Sequence, residues 1–170
     1  MELKRIIEAI LFVSPKPVSL KTLFKRLEGC SPKDVEDAMD ELKKEYNLSE
    51  RALEIVQVSS GFQMRTKIDY KEWVKRFVKE KDVELTRSVL ETLAAIVYRQ
   101  PVTKREVDAI RGVDSSRAIK LLLNKRLIEI AGRDGEIGKA ITFRTTNRFL
   151  EVYGLRSIED LPTYKELELL

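Results

Sequence analysis

Residues 85–116 read LTRSVLETLAAIVYRQPVTKREVDAIRGVDSS, and their signals run helix, turn, helix, turn. Ser88 and Glu91 have the spacing of a capping box. Val89, Leu90, Leu93, Ala94, Ile96 and Val97 then recur at helical intervals until Gln100-Pro101 ends the pattern. Thr103 opens a second helix, spaced so that its hydroxyl accepts from the N–H of Glu106 while Glu106 reaches back. Val102 and Val107 are placed to staple that entry. Gly112 closes the helix, because it takes the left-handed conformation without a Cβ penalty.

Outward from that stretch, Ser115 starts a third helix with Ile119, Leu122 and Leu123 on one face. Leu127–Ala131 and Ala140–Thr145 then read as two strands around the turn GRDGEIG. Three helices followed by a β-hairpin is the winged-helix pattern. Upstream, the same plan recurs at an offset of 84 positions: Pro17-Val18-Ser19 matches Pro101-Val102-Thr103, Ser31 matches Ser115, and Val18 with Leu23 matches Val102 with Val107. The first helix carries Ile6, Ile7, Ile10 and Leu11, the second Leu20, Leu23 and Leu27, and the third, opened by Ser31-Pro32, Val35, Ala38, Met39 and Leu42. Leu53–Val58 and Phe62–Lys67 alternate around Ser59-Ser60-Gly61 as a second hairpin. The expected fold is mainly α with small β-hairpins, an α+β chain of tandem winged-helix domains. The first covers residues 1–80, a linker 81–84, the second 85–162, and a tail 163–170. Tyr70, Trp73, Val74 and Phe77 form an aromatic stripe before the linker, expected to pack on the first domain. Asn147–Tyr153 should add a further helix.

Three segments, LETLAAIVYRQPVTKREVDAIRGVDSS, LLLNKRLIEIAG and ITFRTTNRFLEVYGLRSIEDLP, together resemble the segregation and condensation protein B family, the winged-helix subunit of bacterial SMC-kleisin condensin. IIEAILFVSPKPVSLKTLFKRLEG and GFQMRT are similar to that family's first domain. Two departures stand out. Arg126 occupies a position where the family usually has Gly, and GEIGKAITF replaces the commoner PGRP-type wing. The resemblance implies a non-enzymatic subunit that forms a homodimer through the first domains and binds the kleisin, segregation and condensation protein A. Through the kleisin it would act on the SMC ATPase in chromosome condensation and segregation, in the cytoplasm and associated with the nucleoid.

Composition excludes several chemistries. The chain of 170 residues has no histidine and one cysteine, Cys30, so His-assisted nucleophilic catalysis, His-containing or Cys-rich metal sites and an intrachain disulfide are ruled out. No phosphate-binding loop occurs, and Gly132, Gly135 and Gly138 fall in a hairpin turn rather than before a helix. No cofactor is expected. No apolar run approaches the ~20 residues of a membrane span. The N-terminus has Glu8 inside its apolar run and reads as a helix rather than a signal peptide.

The net charge of +4 invites a nucleic-acid reading, with a tandem winged-helix transcription regulator as the alternative function. Residues 1–84 hold 17 basic and 16 acidic side chains and residues 85–170 hold 15 and 12, so neither half carries a concentrated excess. On the third helix of the first domain, Asp34, Glu36, Asp37, Asp40 and Glu41 would repel phosphates. Arg117, Lys120, Asn124 and Lys125 on the corresponding helix of the second, with Arg133 and Lys139 in the wing, are the possible weak DNA contacts, although Asp134 and Glu136 share that wing.

Two protein surfaces are expected. Ile6, Ile10, Phe12, Val13 and Phe24 exceed what the first core can cover and are assigned to dimerisation. Tyr98, Arg99, Gln100, Arg111 and Val113, at the two corners of the helix-turn-helix, are assigned to the partner. Arginine holds carboxylates in a fork, and these polar side chains have no capping duty visible in the sequence. The alternative is that Arg99 or Arg111 pairs internally with Glu106, Asp108 or Asp114.

Overall fold

The structure is a computed structural model that describes residues 2–48, 50–59, 61–78, 85–134, 140–163 and 166. The expected linker 81–84, Lys139 and most of the 163–170 tail lie outside the described residues. The chain divides into two compact units, Met1–Glu80 with Gly154–Leu170, and Lys81–Tyr153. Each consists of three helices followed by an antiparallel hairpin, with further short helices at its end.

In the first unit, α1 (Leu3–Val13), α2 (Leu20–Arg26) and α3 (Pro32–Leu48) precede β1 (Leu53–Val58) and β2 (Gly61–Thr66). Ile7 and Leu11 on α1, Leu23 on α2, and Val35, Met39, Leu42 and Tyr46 on α3 meet Ile55 and Phe62 of the hairpin in one buried cluster. The i, i+4 and i, i+3 spacing of these positions places them on one face of each helix. Ser19 caps α2 through the N–H of Thr22, and Ser31 and Asp34 cap α3 reciprocally, Ser31 N–H donating to Asp34 at 2.7 Å and Asp34 N–H to Ser31 at 3.2 Å. On the surface, the Tyr46 hydroxyl and the Arg5 guanidinium both donate to Glu8, while Glu45 accepts from Arg5 and Arg51. These bonds hold the Glu8 carboxyl below the usual carboxylate range, the Tyr46 bond being the largest cause. A short 3-10 turn (Ile68–Tyr70) and α4 (Lys71–Lys75) follow the hairpin.

The second unit contains α5 (Arg87–Arg99), β3 (Val102–Thr103), α6 (Lys104–Arg111), α7 (Ser116–Asn124), β4 (Ile128–Asp134), β5 (Ala140–Thr145) and α8 (Asn147–Tyr153). Its sheet has the order β3-β5-β4, with a register shift between Ile130 and Gly132. Val89, Leu93, Ile96, Val107, Leu122, Leu127, Phe143 and Phe149 are all buried. The capping box of Thr103 and Glu106 is present and Gly112 has φ 69°. The 84-residue offset has a geometric counterpart. Val18 bridges to Phe62 of β2, as Val102 pairs with Phe143 of β5, so in each unit the residue before the cap of α2 or α6 joins the hairpin sheet. Gly61 is required there, because a Cβ would lie 2.8 Å from the Val18 carbonyl carbon.

Three expectations are corrected. Ser88 and Glu91 do not cap α5. The helix starts at Arg87 with Thr86 at its cap, which makes no side-chain cap bond, and Glu91 instead accepts from Arg87 and Arg111. The stripe of Tyr70, Trp73 and Phe77 does not pack on its domain: α4 is only five residues long, and these side chains are exposed, Trp73 to 62% and Phe77 to 88%. Residues 154–162 were expected in the second domain but group with the first unit, where the Ser59 N–H donates to the Leu155 carbonyl at 2.8 Å.

Candidate interaction surfaces

At the corner between α5 and β3, the Gln100 amide oxygen accepts from the backbone N–H of Thr145 at 2.7 Å and from its hydroxyl at 2.9 Å. Gln100 thus fastens the end of α5 to the last residue of β5. The Gln100-Pro101 peptide is cis. At the other corner, Arg111 donates to the Ser88 carbonyl and to the Thr92 hydroxyl, both at 2.6 Å, and pairs with Glu91 at 2.9 Å. Its side chain is only 12% exposed. The planar fork of arginine suits this arrangement, since one guanidinium holds three groups on neighbouring turns of α5.

Neither residue is therefore free of structural duty: Arg111 pairs internally, as the alternative expectation holds, but with Ser88, Glu91 and Thr92 of α5. The carboxylates expected as internal partners are engaged elsewhere. Asp108 and Asp114 both accept from Lys104, Asp108 also accepts from the Ser115 N–H, and Glu106 completes the capping box. These contacts lower the carboxyl pKa values of Asp108 and Asp114, Lys104 being the largest cause for each, and raise that of Lys104, for which Asp108 is the largest. Of the five assigned partner residues, Tyr98 is half-buried, while Arg99 and Val113 are exposed. The Arg99 side chain makes no hydrogen bond or ion pair with another described residue. Leu90 and Ile110, which the sequence reading did not single out, are also exposed at the helix ends joined through Arg111.

The possible DNA contacts are partly accessible. Arg117, Lys120 and Arg133 are exposed and Lys125 is half-buried, with Lys139 outside the described residues. Arg133 shares a shallow depression with Gln100, Pro101 and Arg144, and Arg144 is paired with Glu129.

In the first unit the dimerisation residues separate into two groups. Phe12 and Val13 are each 73% exposed and Phe24 41%, whereas Ile6 and Ile10 are half-buried and Ile10 packs against the core cluster. A second apolar surface comprises Tyr70, Trp73 and Phe77, from the stripe expected to pack on the domain, with Ile68 and Val78, all exposed. The Arg76 guanidinium lies over the Trp73 ring at 4.6 Å. Among the described residues, no His/Cys/Asp/Glu cluster is arranged to hold a metal, and no helix is long and apolar enough to cross a membrane.

The chain matches the model of the segregation and condensation complex subunit ScpB over residues 5–164. It is 43% identical over 166 residues to segregation and condensation protein B of Syntrophotalea carbinolica, covering 98% of this chain and 84% of that protein. The protein of the same name from Alkaliphilus metalliredigens is 40% identical over 167 residues, covering 98% and 87%. Among solved structures, it is similar to a crystal structure of ScpB from Mycobacterium tuberculosis at 35% identity, covering 91% of this chain and 96% of that one, with a TM-score of 0.42. A dimer of the ScpB N-terminal domain complexed with ScpA peptide is 28% identical, covering 44% and 93%, with a TM-score of 0.41. This chain belongs to the segregation and condensation protein B family.

Proposed function

We propose that this chain is a non-catalytic subunit of an SMC-kleisin condensin, built from two winged-helix units, which binds the kleisin as a homodimer and supports chromosome condensation and segregation on the nucleoid. Its family is a subunit of the segregation and condensation complex. The observation that carries the reading beyond family membership is the amount of apolar surface left uncovered in the first unit: Phe12, Val13, Ile68, Trp73 and Phe77. Large apolar side chains exposed in such number mark protein interfaces.

Two-fold pairing fits the ridge from Ile68 to Val78 best. Its first half carries Asp69, Lys71 and Glu72, a net charge of −1, and its second half Lys75 and Arg76, a net charge of +2, so antiparallel apposition of two copies sets halves of opposite net charge against each other. In the second unit, exposed Val113, with Leu90 and Ile110, forms the surface for the kleisin, and exposed Arg99 at the opposite corner offers it a second contact. Arg111 holds the helix ends that present it.

Co-purification with the kleisin of the same genome, followed by light scattering, tests the proposal. A stable assembly containing two copies of this chain is expected, and failure to retain the kleisin overturns it. Titration with duplex DNA at two salt concentrations separates the regulator reading, which requires tight, sequence-selective binding. The proposed function allows only weak binding that falls steeply with salt.

A further inference from the structure

Four cations of the first unit, Lys16, Lys21, Lys25 and Arg26, are clustered on α2 and the loop before it. All are exposed, and none of their side chains makes a hydrogen bond or ion pair with another described residue. Elsewhere in the same unit Lys4, Arg5, Arg51 and Arg65 each pair with a glutamate. The reason is in the sequence: residues 9–27 contain these four cations and no carboxylate. The stretch folds into the end of α1, the loop 14–18 and α2, and these enclose a cavity of about 390 Å³. Ile10, Val18, Leu23 and Leu27 supply apolar walls, Lys16 and Arg26 are its only charged lining residues, and no carboxylate faces it. Exposed Phe12, Val13 and Phe24 lie on the same two helices.

We propose that this corner is a docking site for an acidic, amphipathic helical segment of a partner protein, its apolar side chains seated in the cavity and its carboxylates on the surrounding lysines and Arg26. The inference rests on the reading of this chain as a subunit that works by holding partner segments. A second copy is a poor occupant, since two-fold pairing would set four uncompensated cations against four more. Duplex DNA satisfies the charge but not the apolar walls, and α3 of the same unit exposes Asp34, Glu36, Asp37, Asp40 and Glu41. An acidic amphipathic segment satisfies both the charge and the walls, in the manner of a helix laid in a groove.

The test uses the full chain and fluorescein-labelled peptides of about twenty residues with leucines on one helical face. The opposite face carries glutamate in one peptide, glutamine in a second and lysine in a third. Anisotropy is expected to show the glutamate peptide binding roughly tenfold or more tighter than the glutamine peptide. The doubly reversed chain, Lys16→Glu with Arg26→Glu, should lose that preference and gain affinity for the lysine peptide. Because both side chains are exposed and unpaired, its melting temperature should match that of the parent, which verifies that the variant is folded. Equal affinity for glutamate and glutamine peptides overturns the proposal, as does a preference that survives charge reversal. Duplex DNA bound more tightly than the glutamate peptide, and lost in the same variant, overturns it in favour of a nucleic-acid site. A parent chain that retains the kleisin yet fails the peptide test refutes only this site, whereas one that does not retain the kleisin refutes the proposed function itself.

Discussion

Arg126 has φ 56° at the end of α7, where its N–H donates to the Leu123 carbonyl and the Leu127 N–H to that of Leu122. Those two bonds make a Schellman motif with Arg126 in the left-handed position that glycine normally occupies. This is the physical content of the departure seen in the sequence. Arg126→Gly should therefore stabilise the protein by about 1 kcal/mol, relief of left-handed strain outweighing the added freedom of the unfolded chain. Denaturant unfolding checks it, and an unchanged or lower midpoint would mean that the arginine side chain has a compensating role. At Asp160, hydrogen bonds from the Arg156 side chain and backbone lower the carboxyl pKa to about 2. Its folded pKa lies below the unfolded one, so its stabilising contribution is complete above the ordinary carboxylate value near 4 and fades as pH falls towards about 2. Carboxyl titration by NMR should place its midpoint near 2, and Arg156→Ala should move it up. Local spacing made some of these details legible: the Thr103 and Glu106 box was readable because its partners lie three residues apart. Gln100 was not, since its partner Thr145 lies 45 positions away and no short-range signal reports it.

Among the elements, helix periodicity and hairpin punctuation identified the three-helix and hairpin order of each half, because burial against one core imposes the 3.6-residue pattern that the sequence displays. The same rule failed for residues 70–77. An aromatic stripe signals a buried helical face only where another element covers it, and here α4 is too short and leaves the stripe on the surface. The α5 boundary also shifted, because Thr86 and Ser88 are both acceptable cap residues and Glu91 was drawn to Arg111. Arg111 joins α5 to α6, and its loss would remove the charge-assisted bonds to Ser88 and Thr92 and the pairing with Glu91, while the Thr92 hydroxyl keeps its bond to the Ser88 carbonyl and Glu91 its pairing with Arg87. Arg111→Ala is expected to cost about 2 kcal/mol, mostly from the bonds to Ser88 and Thr92, because the exposed ion pair itself contributes little. Arg111→Lys should recover only part of this, as an ammonium cannot span all three partners. Parallel measurement of kleisin retention separates roles: unchanged stability with weakened retention would return Arg111 to the partner surface.

At the level of the molecule, the two-unit plan was legible from the offset of 84 residues, whose landmarks Val18 and Val102 each join their hairpin sheet. The return of residues 154–170 to the first unit was not, because it depends on contacts such as Ser59 with Leu155 that carry no periodic signature. Exposure, too, is a three-dimensional property, and it changed the choice of pairing surface. The sequence pointed to α1 and Phe24, but Ile10 is occupied in the core, and Phe12, Val13 and Phe24 share α1 and α2 with four unpaired cations on the same stretch. The ridge from Ile68 to Val78 combines greater aromatic exposure with charges that complement themselves on two-fold pairing. Trp73 is the only tryptophan of the chain, so its emission reports on this ridge alone. If two copies meet there, raising the concentration of the full chain from nanomolar to tens of micromolar should shift the emission to the blue in step with the doubling of mass seen by light scattering, as water leaves the indole. Phe77→Asp introduces a charge at an 88% exposed site. It should abolish both changes with little effect on melting temperature. A mass that doubles while the emission stays constant would place the dimer on another face of the first unit, and a Phe77→Asp chain that still dimerises would exclude this ridge.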